Sequence, residues 1–134
     1  MPHKIRKCLN SWYKFLNGYQ FFCWNEENFD ISQAPLYVAQ AYSQKKWAFV
    51  ADYVRFYALY KYGGIYLDTD VLIIKDFTSF VKTPFLCIGR DLDIAPGLLM
   101  YFDKRDPFCL EMINFYKDID FFKSICFPKY YIYL

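Results

Sequence analysis

Apolar residues recur along the chain at two spacings, which predict helices that alternate with strands. In residues 5–16 they recur at intervals of three and four, which predicts a helix that Asn17-Gly18 ends. A polar stretch with a capping aspartate, Asp30, precedes the next helical pattern. Gly63-Gly64 is expected to end the longest helix. The predicted helices are residues 5–16, 36–43, 47–62 and 107–118.

Short runs of aromatic and aliphatic residues lie between the helical segments and predict strands. The predicted strands are residues 19–24, 65–67, 71–74, 85–88 and 97–101. Because strands and helices alternate, the pattern favours an α/β fold. The chain has no internal repeat, low-complexity tract or long linker, so a single domain over residues 1–134 is expected.

The composition excludes several classes of protein. Of the 134 residues, 56% are hydrophobic and 24% aromatic, which excludes a disordered chain. The net charge of +2, from 16 basic and 14 acidic residues, is too balanced to predict nucleic-acid binding. The 5 cysteines are widely spaced and form no Cys-x-x-Cys pair, so neither a zinc cage nor a disulfide framework is expected. They predict buried free thiols in a reducing compartment.

No segment has the pattern of a signal peptide or a membrane-spanning helix, which needs about 18 or more apolar residues. The chain is therefore expected in the cytoplasm. Its many tyrosine, phenylalanine and lysine residues are suited to peripheral contact with the inner face of a membrane.

Four charged residues interrupt an apolar stretch between residues 48 and 70. Asp52 and Arg55 lie three positions apart on a predicted helix, so their side chains can pair or bind a polar ligand together. Asp68 and Asp70 follow a predicted strand and are expected on the same side, because side chains alternate in extended backbone. Ionised groups in apolar surroundings are usually paired, bound to a metal or located at a cleft. The pattern therefore indicates a binding site.

Two carboxylates at the carboxyl end of a strand are oxygen ligands suited to Mg²⁺ or Mn²⁺, which often share their coordination with substrate phosphates. A metal-bound diphosphate is the ligand that this pair of aspartates predicts. Two simpler interpretations stay open at this point. Asp68-Thr69-Asp70 is also typical of a hairpin turn, and Asp52 with Arg55 is typical of a surface ion pair.

The segment that contains these residues resembles a known family, the glycosyltransferases with a DXD sugar-binding motif, or glycosyltransferase family 32. Its members carry a helix of the type AFVADYVR, which is residues 48–55 here, and a strand of the type LYKYGGIYLDTD, which is residues 59–70. Trp12, the sequence WNEENFD at 24–30 and the sequence DIAPG at 93–97 are similar to members that make bacterial capsular polysaccharide. The resemblance covers residues 4–116.

The resemblance implies a GT-A fold, which is a Rossmann-like mixed sheet flanked by helices. It also implies transfer of a sugar, with retention of configuration, from a nucleotide-sugar donor to a glycan or lipid-linked acceptor. By similarity, Asp70 would ligate Mn²⁺ or Mg²⁺ directly, while Asp68 would reach the ribose or a metal-bound water. The metal would neutralise charge on the diphosphate leaving group. The residues expected to bind the donor are Asp52, Arg55, Tyr66 and Asp68.

Two departures from the family pattern predict a partial domain, truncated at both ends. Relatives begin with an apolar strand that bears a tryptophan motif, whereas this chain begins with Met1-Pro2-His3. Relatives also continue to a segment with a histidine and a Ser-Trp pair, which residues 125–134 do not resemble. One alternative function is an inactive remnant that binds nucleotide sugar or a protein partner. Another is a phosphohydrolase in which Asp68 is the nucleophile.

Overall fold

The helices and strands lie mostly where the hydrophobic pattern predicts them. A computed structural model describes residues 1–86 and 97–125. The helices are α1 (His3–Phe15), α2 (Leu36–Ser43), α3 (Trp47–Tyr62), α4 (Pro107–Phe115) and α5 (Phe121–Ile125). The strands are β1 (Gly64–Tyr66), β2 (Phe85–Leu86) and β3 (Met100–Phe102), and short 3₁₀ turns occupy Ile31–Gln33 and Thr78–Phe80. All four predicted helices are confirmed in position, although α4 ends three residues earlier than expected.

The described residues form two units, of which the first comprises Met1–Phe22 and Leu59–Asp106. Its sheet has the order β1-β3-β2, and both pairings are antiparallel. Gly64 lies opposite Phe102, and Phe85 lies opposite Tyr101. In the same unit, one face of α1 packs into an apolar cluster. The buried members of this cluster are Trp12, Leu16 and Ile73, with Leu9, Phe15, Leu67, Val71 and Phe77 packed against them.

Among the described residues, the second unit comprises Cys23–Ala58 and residues 107–125. Val38 and Ala41 of α2 are fully buried, as is Phe121 at the start of α5. The backbone N–H of Phe121 donates to the side-chain amide oxygen Oε1 of Gln40 at 2.8 Å, which fixes α5 against α2. Asp30 caps the 3₁₀ turn that follows it, because its carboxylate accepts the N–H of Ser32 at 2.9 Å. The capping role predicted for Asp30 is therefore confirmed, although the turn that it caps lies ahead of α2.

Two of the predicted strands are wrong. Residues 19–24 and 71–74 form no regular secondary structure in the described part of the chain. In the first segment the aromatic side chains are held by other rings, since Phe21 lies 4.8 Å from Tyr13 and Phe22 lies 6.0 Å from Tyr62, between ring centroids. In the second segment, side chains of α1 form hydrogen bonds with backbone groups that would otherwise pair with a neighbouring strand.

The fold is a mixture of helices and a small sheet, consistent with the α/β class. The predicted mixed sheet is not seen among the described residues, whose strand pairs are all antiparallel. The strand predicted at 97–101 begins at Met100, and that predicted at 85–88 includes residues 87 and 88, which lie outside the described residues. Within residues 1–86 and 97–125, no helix is long and apolar enough to span a membrane.

The thiols follow the prediction only in part. Cys8 and Cys109 are buried, as expected, and neither forms a disulfide within the described residues. Cys23 is exposed and lies in the segment 19–24, which was predicted to be a strand. Cys87 and Cys126 lie outside the described residues.

Candidate functional site

The predicted metal-binding pair lies in a tight turn directly after β1. The N–H of Val71 donates to the carbonyl of Asp68 at 3.0 Å, which closes a four-residue turn that we call the aspartate turn, residues 68–71. Asp68 is partly buried and Asp70 is exposed. The turn that the sequence left open is therefore present, but it is not a hairpin, because residues 71–74 form no strand and β1 pairs with β3. The expectation that extended backbone carries the two aspartates is wrong, since Asp70 lies within the turn.

The carboxylate of Asp68 is enclosed by its neighbours. The hydroxyl of Tyr66 donates to Oδ1 of Asp68 at 2.8 Å, as expected for residues i and i+2 of a strand end, which lie on one face. On the other side, the N–H of Asp68 donates to the carbonyl of Gly97 at 2.8 Å. A side chain at residue 97 would overlap the Asp68 carboxylate, so glycine provides the space that this carboxylate occupies.

Three side chains of α1 hold the aspartate turn and the segment after it. Trp12 donates its indole N–H to the carbonyl of Val71 at 2.7 Å, and the Ser11 hydroxyl accepts the N–H of Ile73 at 2.9 Å. The Cys8 thiol donates to the carbonyl of Asp70 at 3.3 Å. The backbone that carries Asp70 is thus fixed by a helix about 60 residues away in sequence.

The other predicted pair lies on α3, in the second unit. Nη2 of Arg55 lies 2.9 Å from Oδ1 of Asp52, and Nε of Arg55 donates to the carbonyl of Ala51 at 3.2 Å. The Arg55 side chain is 7% exposed and that of Asp52 is 40% exposed. The interpretation as a surface ion pair is therefore wrong for Arg55, which is buried beneath a partly exposed carboxylate.

Two tyrosines near this pair have raised pKa values. Burial, with a smaller contribution from the negative charge of Asp52, raises the pKa of Tyr37 to about 12. Burial followed by the charges of Asp52 and Tyr37 also raises the pKa of Tyr116, and the positive charge of Arg55 opposes this shift. The Asp52 carboxylate therefore lies close to two phenol groups that stay protonated at neutral pH.

The carboxylates of the aspartate turn are the oxygen ligands that Mn²⁺ or Mg²⁺ prefers. No group of three or more histidine, cysteine or acidic residues comes together within residues 1–86 and 97–125. A hard cation that shares its ligands with a diphosphate needs only one or two carboxylates from the protein. Asp68 and Asp70 therefore fit a metal held jointly with a ligand, and do not form a cage of their own.

Sequence reasoning missed the residues that support the predicted site. Cys8 and Trp12 lie on the predicted helix, and Trp12 is also part of the family resemblance, but the sequence assigns no contact to either residue or to Ser11. Their backbone partners depend on tertiary packing. Gly97 was noted within a motif, with no role. A signal was present for Tyr66, since alternation along a strand places residue 66 on the same face as residue 68.

Comparison with known proteins identifies the family. The family model described as "Glycosyltransferase sugar-binding region containing DXD motif" matches residues 2–86. An uncharacterised protein of Arabidopsis thaliana is 41% identical over 70 residues, which are 49% of this chain and 10% of that protein. Inositol phosphoceramide mannosyltransferase 3 of Schizosaccharomyces pombe is 31% identical over 99 residues, which are 72% of this chain.

The chain spans 28% of the length of the yeast mannosyltransferase and a smaller share of the plant protein. No solved structure is significantly similar to it. The matched region contains every residue that was predicted to bind donor or metal, from Asp52 to Asp70. The chain belongs to the family of glycosyltransferases whose sugar-binding region contains a DXD motif.

Proposed function

We propose that this chain binds a nucleotide-sugar donor at the aspartate turn and transfers the sugar, with retention of configuration, to a glycan or lipid-linked acceptor. One observation supports the proposal most directly. Within the region matched by the family model, the DXD motif forms a turn in which Asp70 is exposed and the Asp68 carboxylate is hydrogen-bonded to Tyr66.

The chain's own residues would act chiefly by binding and orienting the donor. Asp68 and Asp70 would hold a divalent metal against the donor diphosphate, where Mn²⁺ or Mg²⁺ would neutralise the charge that develops on the leaving group. The hydrogen bonds from α1 keep the backbone of residues 70–73 fixed, so little reorganisation is needed when the donor binds. Asp52 and Arg55 are proposed to contact the donor sugar.

The acceptor class is proposed from the relatives. The yeast relative is named as an inositol phosphoceramide mannosyltransferase, and inositol phosphoceramide is a lipid. A lipid-linked acceptor and peripheral contact with the inner face of a membrane are therefore part of the proposal. Synthesis of bacterial capsular polysaccharide and a cytoplasmic location stay predictions from the sequence.

Release of nucleoside diphosphate tests the proposal. The chain is incubated with UDP-glucose, UDP-galactose or GDP-mannose, each with Mn²⁺ or with a chelator, and with a panel of inositol-containing lipids and short glycans. We expect one donor to release its diphosphate only when the metal and an acceptor are present. Metal-dependent binding without release from any donor would favour the alternative, a binding module without transferase activity. Release that is unaffected by the chelator would contradict the proposed metal role.

A further inference from the structure

The two oxygens of the Asp68 carboxylate have different surroundings, and both depend on residues outside the DXD motif. Oδ1 accepts the Tyr66 hydroxyl, and Oδ2 lies above Gly97, in the space that a β-carbon would take. We propose that Tyr66 and Gly97 are positioning residues, which fix the Asp68 carboxylate for binding of the metal and the donor. This inference rests on the proposed function and assigns Tyr66 a role through Asp68, in place of a direct contact with the donor.

The Tyr66 hydrogen bond restricts the rotation of Asp68. It is 2.8 Å long and has a carboxylate as its acceptor, which is among the stronger kinds of hydrogen bond in proteins. Tyr66 itself is fixed because it lies on β1, opposite Met100 of β3. A phenylalanine at residue 66 keeps the ring and removes only the hydroxyl. The Asp68 carboxylate would then lose this hydrogen bond, and its rotamer would be less restricted than in the wild type.

Gly97 limits Asp68 from the other side. Its carbonyl accepts the Asp68 N–H at 2.8 Å, so the two residues are fixed at the backbone. A β-carbon on residue 97 would lie 2.7 Å from Cγ of Asp68 and closer still to Oδ2. The overlapping atoms are the end of a flexible side chain, which can rotate away at small cost. Gly97→Ala should therefore displace the carboxylate and leave the fold stable.

Tyr101 offers a matched control in the same sheet. Its hydroxyl donates to Oδ1 of Asp103, two residues later, at 2.8 Å, which is the same arrangement at the end of a neighbouring strand. Tyr101→Phe therefore removes an equivalent hydrogen bond from a carboxylate that does not belong to the DXD motif.

The experiment is a double-mutant cycle on the affinity for UDP and GDP in the presence of Mn²⁺, measured by titration calorimetry. We expect Tyr66→Phe to weaken binding about ten-fold, as for loss of a hydrogen bond to a charged group. Gly97→Ala should weaken it similarly without lowering the melting temperature, and Tyr101→Phe should leave it unchanged. In an Asp68→Asn background, Tyr66→Phe should cause little further loss, because the two residues act as a unit.

Equal losses from Tyr66→Phe in the wild-type and Asp68→Asn backgrounds would overturn the inference, since Tyr66 would then contact the ligand itself. An equal loss from Tyr101→Phe would also overturn it. If the wild-type chain binds neither diphosphate, the proposed function fails at that point. The positioning role is then decided without ligand, from NMR couplings that report the χ1 rotamer of Asp68. Rotamer averaging in Tyr66→Phe and Gly97→Ala, but not in Tyr101→Phe, supports it, and unchanged couplings in both variants overturn it.

Discussion

At the scale of single residues, the charged groups predicted from the sequence have different environments. Arg55 is buried, whereas its partner Asp52 is 40% exposed. Asp70 is exposed, whereas Asp68 is partly buried beside Tyr66. In each pair, one residue is accessible to a ligand and the other is held within the protein. Sequence alone gives the pairs, because spacing decides which residues lie together, but burial depends on packing.

Arg55→Ala should lower both stability and donor affinity. Loss of one partner from a buried ion pair costs about 3–5 kcal/mol, and we expect about 1–3 kcal/mol here because Asp52 is partly exposed. Denaturant unfolding measures this change, with Arg6→Ala on the exposed face of α1 as the control. Affinity for a nucleotide sugar should fall more than affinity for the bare diphosphate. Equal losses for the two ligands would show that Arg55 does not contact the sugar.

Tyr37 should make stability depend on alkaline pH. Its pKa in the folded chain is about 12, whereas an unfolded tyrosine has a pKa of about 10. The folded state therefore retains its proton at pH values where the unfolded state loses it. The contribution of Tyr37 to the free energy of unfolding is fully present below about pH 10 and is lost as pH rises toward about 12.

Denaturant unfolding from about pH 8 to about pH 11.5 measures how the free energy of unfolding changes with pH. The free energy of unfolding should decrease less steeply above pH 10 in Tyr37→Phe than in the wild type. Parallel curves for the two proteins would contradict the raised pKa.

At the scale of the elements, two structures fix the aspartate turn. One is α1, whose side chains bind the backbone of residues 70–73. The other is the junction of α3 and β1, where Gly63 and Gly64 both have positive φ, at 71° and 101°. The N–H of Gly63 donates to the Leu59 carbonyl at 2.7 Å, and the chain then enters β1. The double glycine therefore ends the helix and begins the strand that leads to the site.

Gly63→Ala should destabilise the chain more than Gly18→Ala. Both glycines follow a helix with positive φ, so alanine is strained at either position. A β-carbon on residue 63 would also lie 2.7 Å from the backbone nitrogen of Lys104, whereas one on residue 18 would meet nothing within 4 Å. We expect an additional loss of about 1–3 kcal/mol for Gly63→Ala, measured by denaturant unfolding. Equal losses for the two variants would show that the Lys104 contact is relieved without cost.

At the scale of the whole molecule, local signals predicted the helices well and the extended segments poorly. The bounds of α2 and α3 agree with the sequence, because their apolar spacing and the double glycine are local. Residues 71–74 have the composition of a strand, but Trp12 and Ser11 bind their backbone instead. Such contacts join residues about 60 positions apart, so no local pattern reports them. The site residues were predicted, whereas the contacts that Gly97 and α1 make with them were not.

The measurement that tests the central claim most directly is calorimetric titration of the chain with UDP and GDP, with Mn²⁺ and with a chelator. We expect binding of one diphosphate that the chelator abolishes. We also expect Asp70→Asn to remove this binding with little change in melting temperature, because Asp70 is exposed. Asp118→Asn, at another exposed carboxylate, should bind as the wild type does. Unchanged affinity in Asp70→Asn would contradict the assignment of the aspartate turn as the metal and donor site.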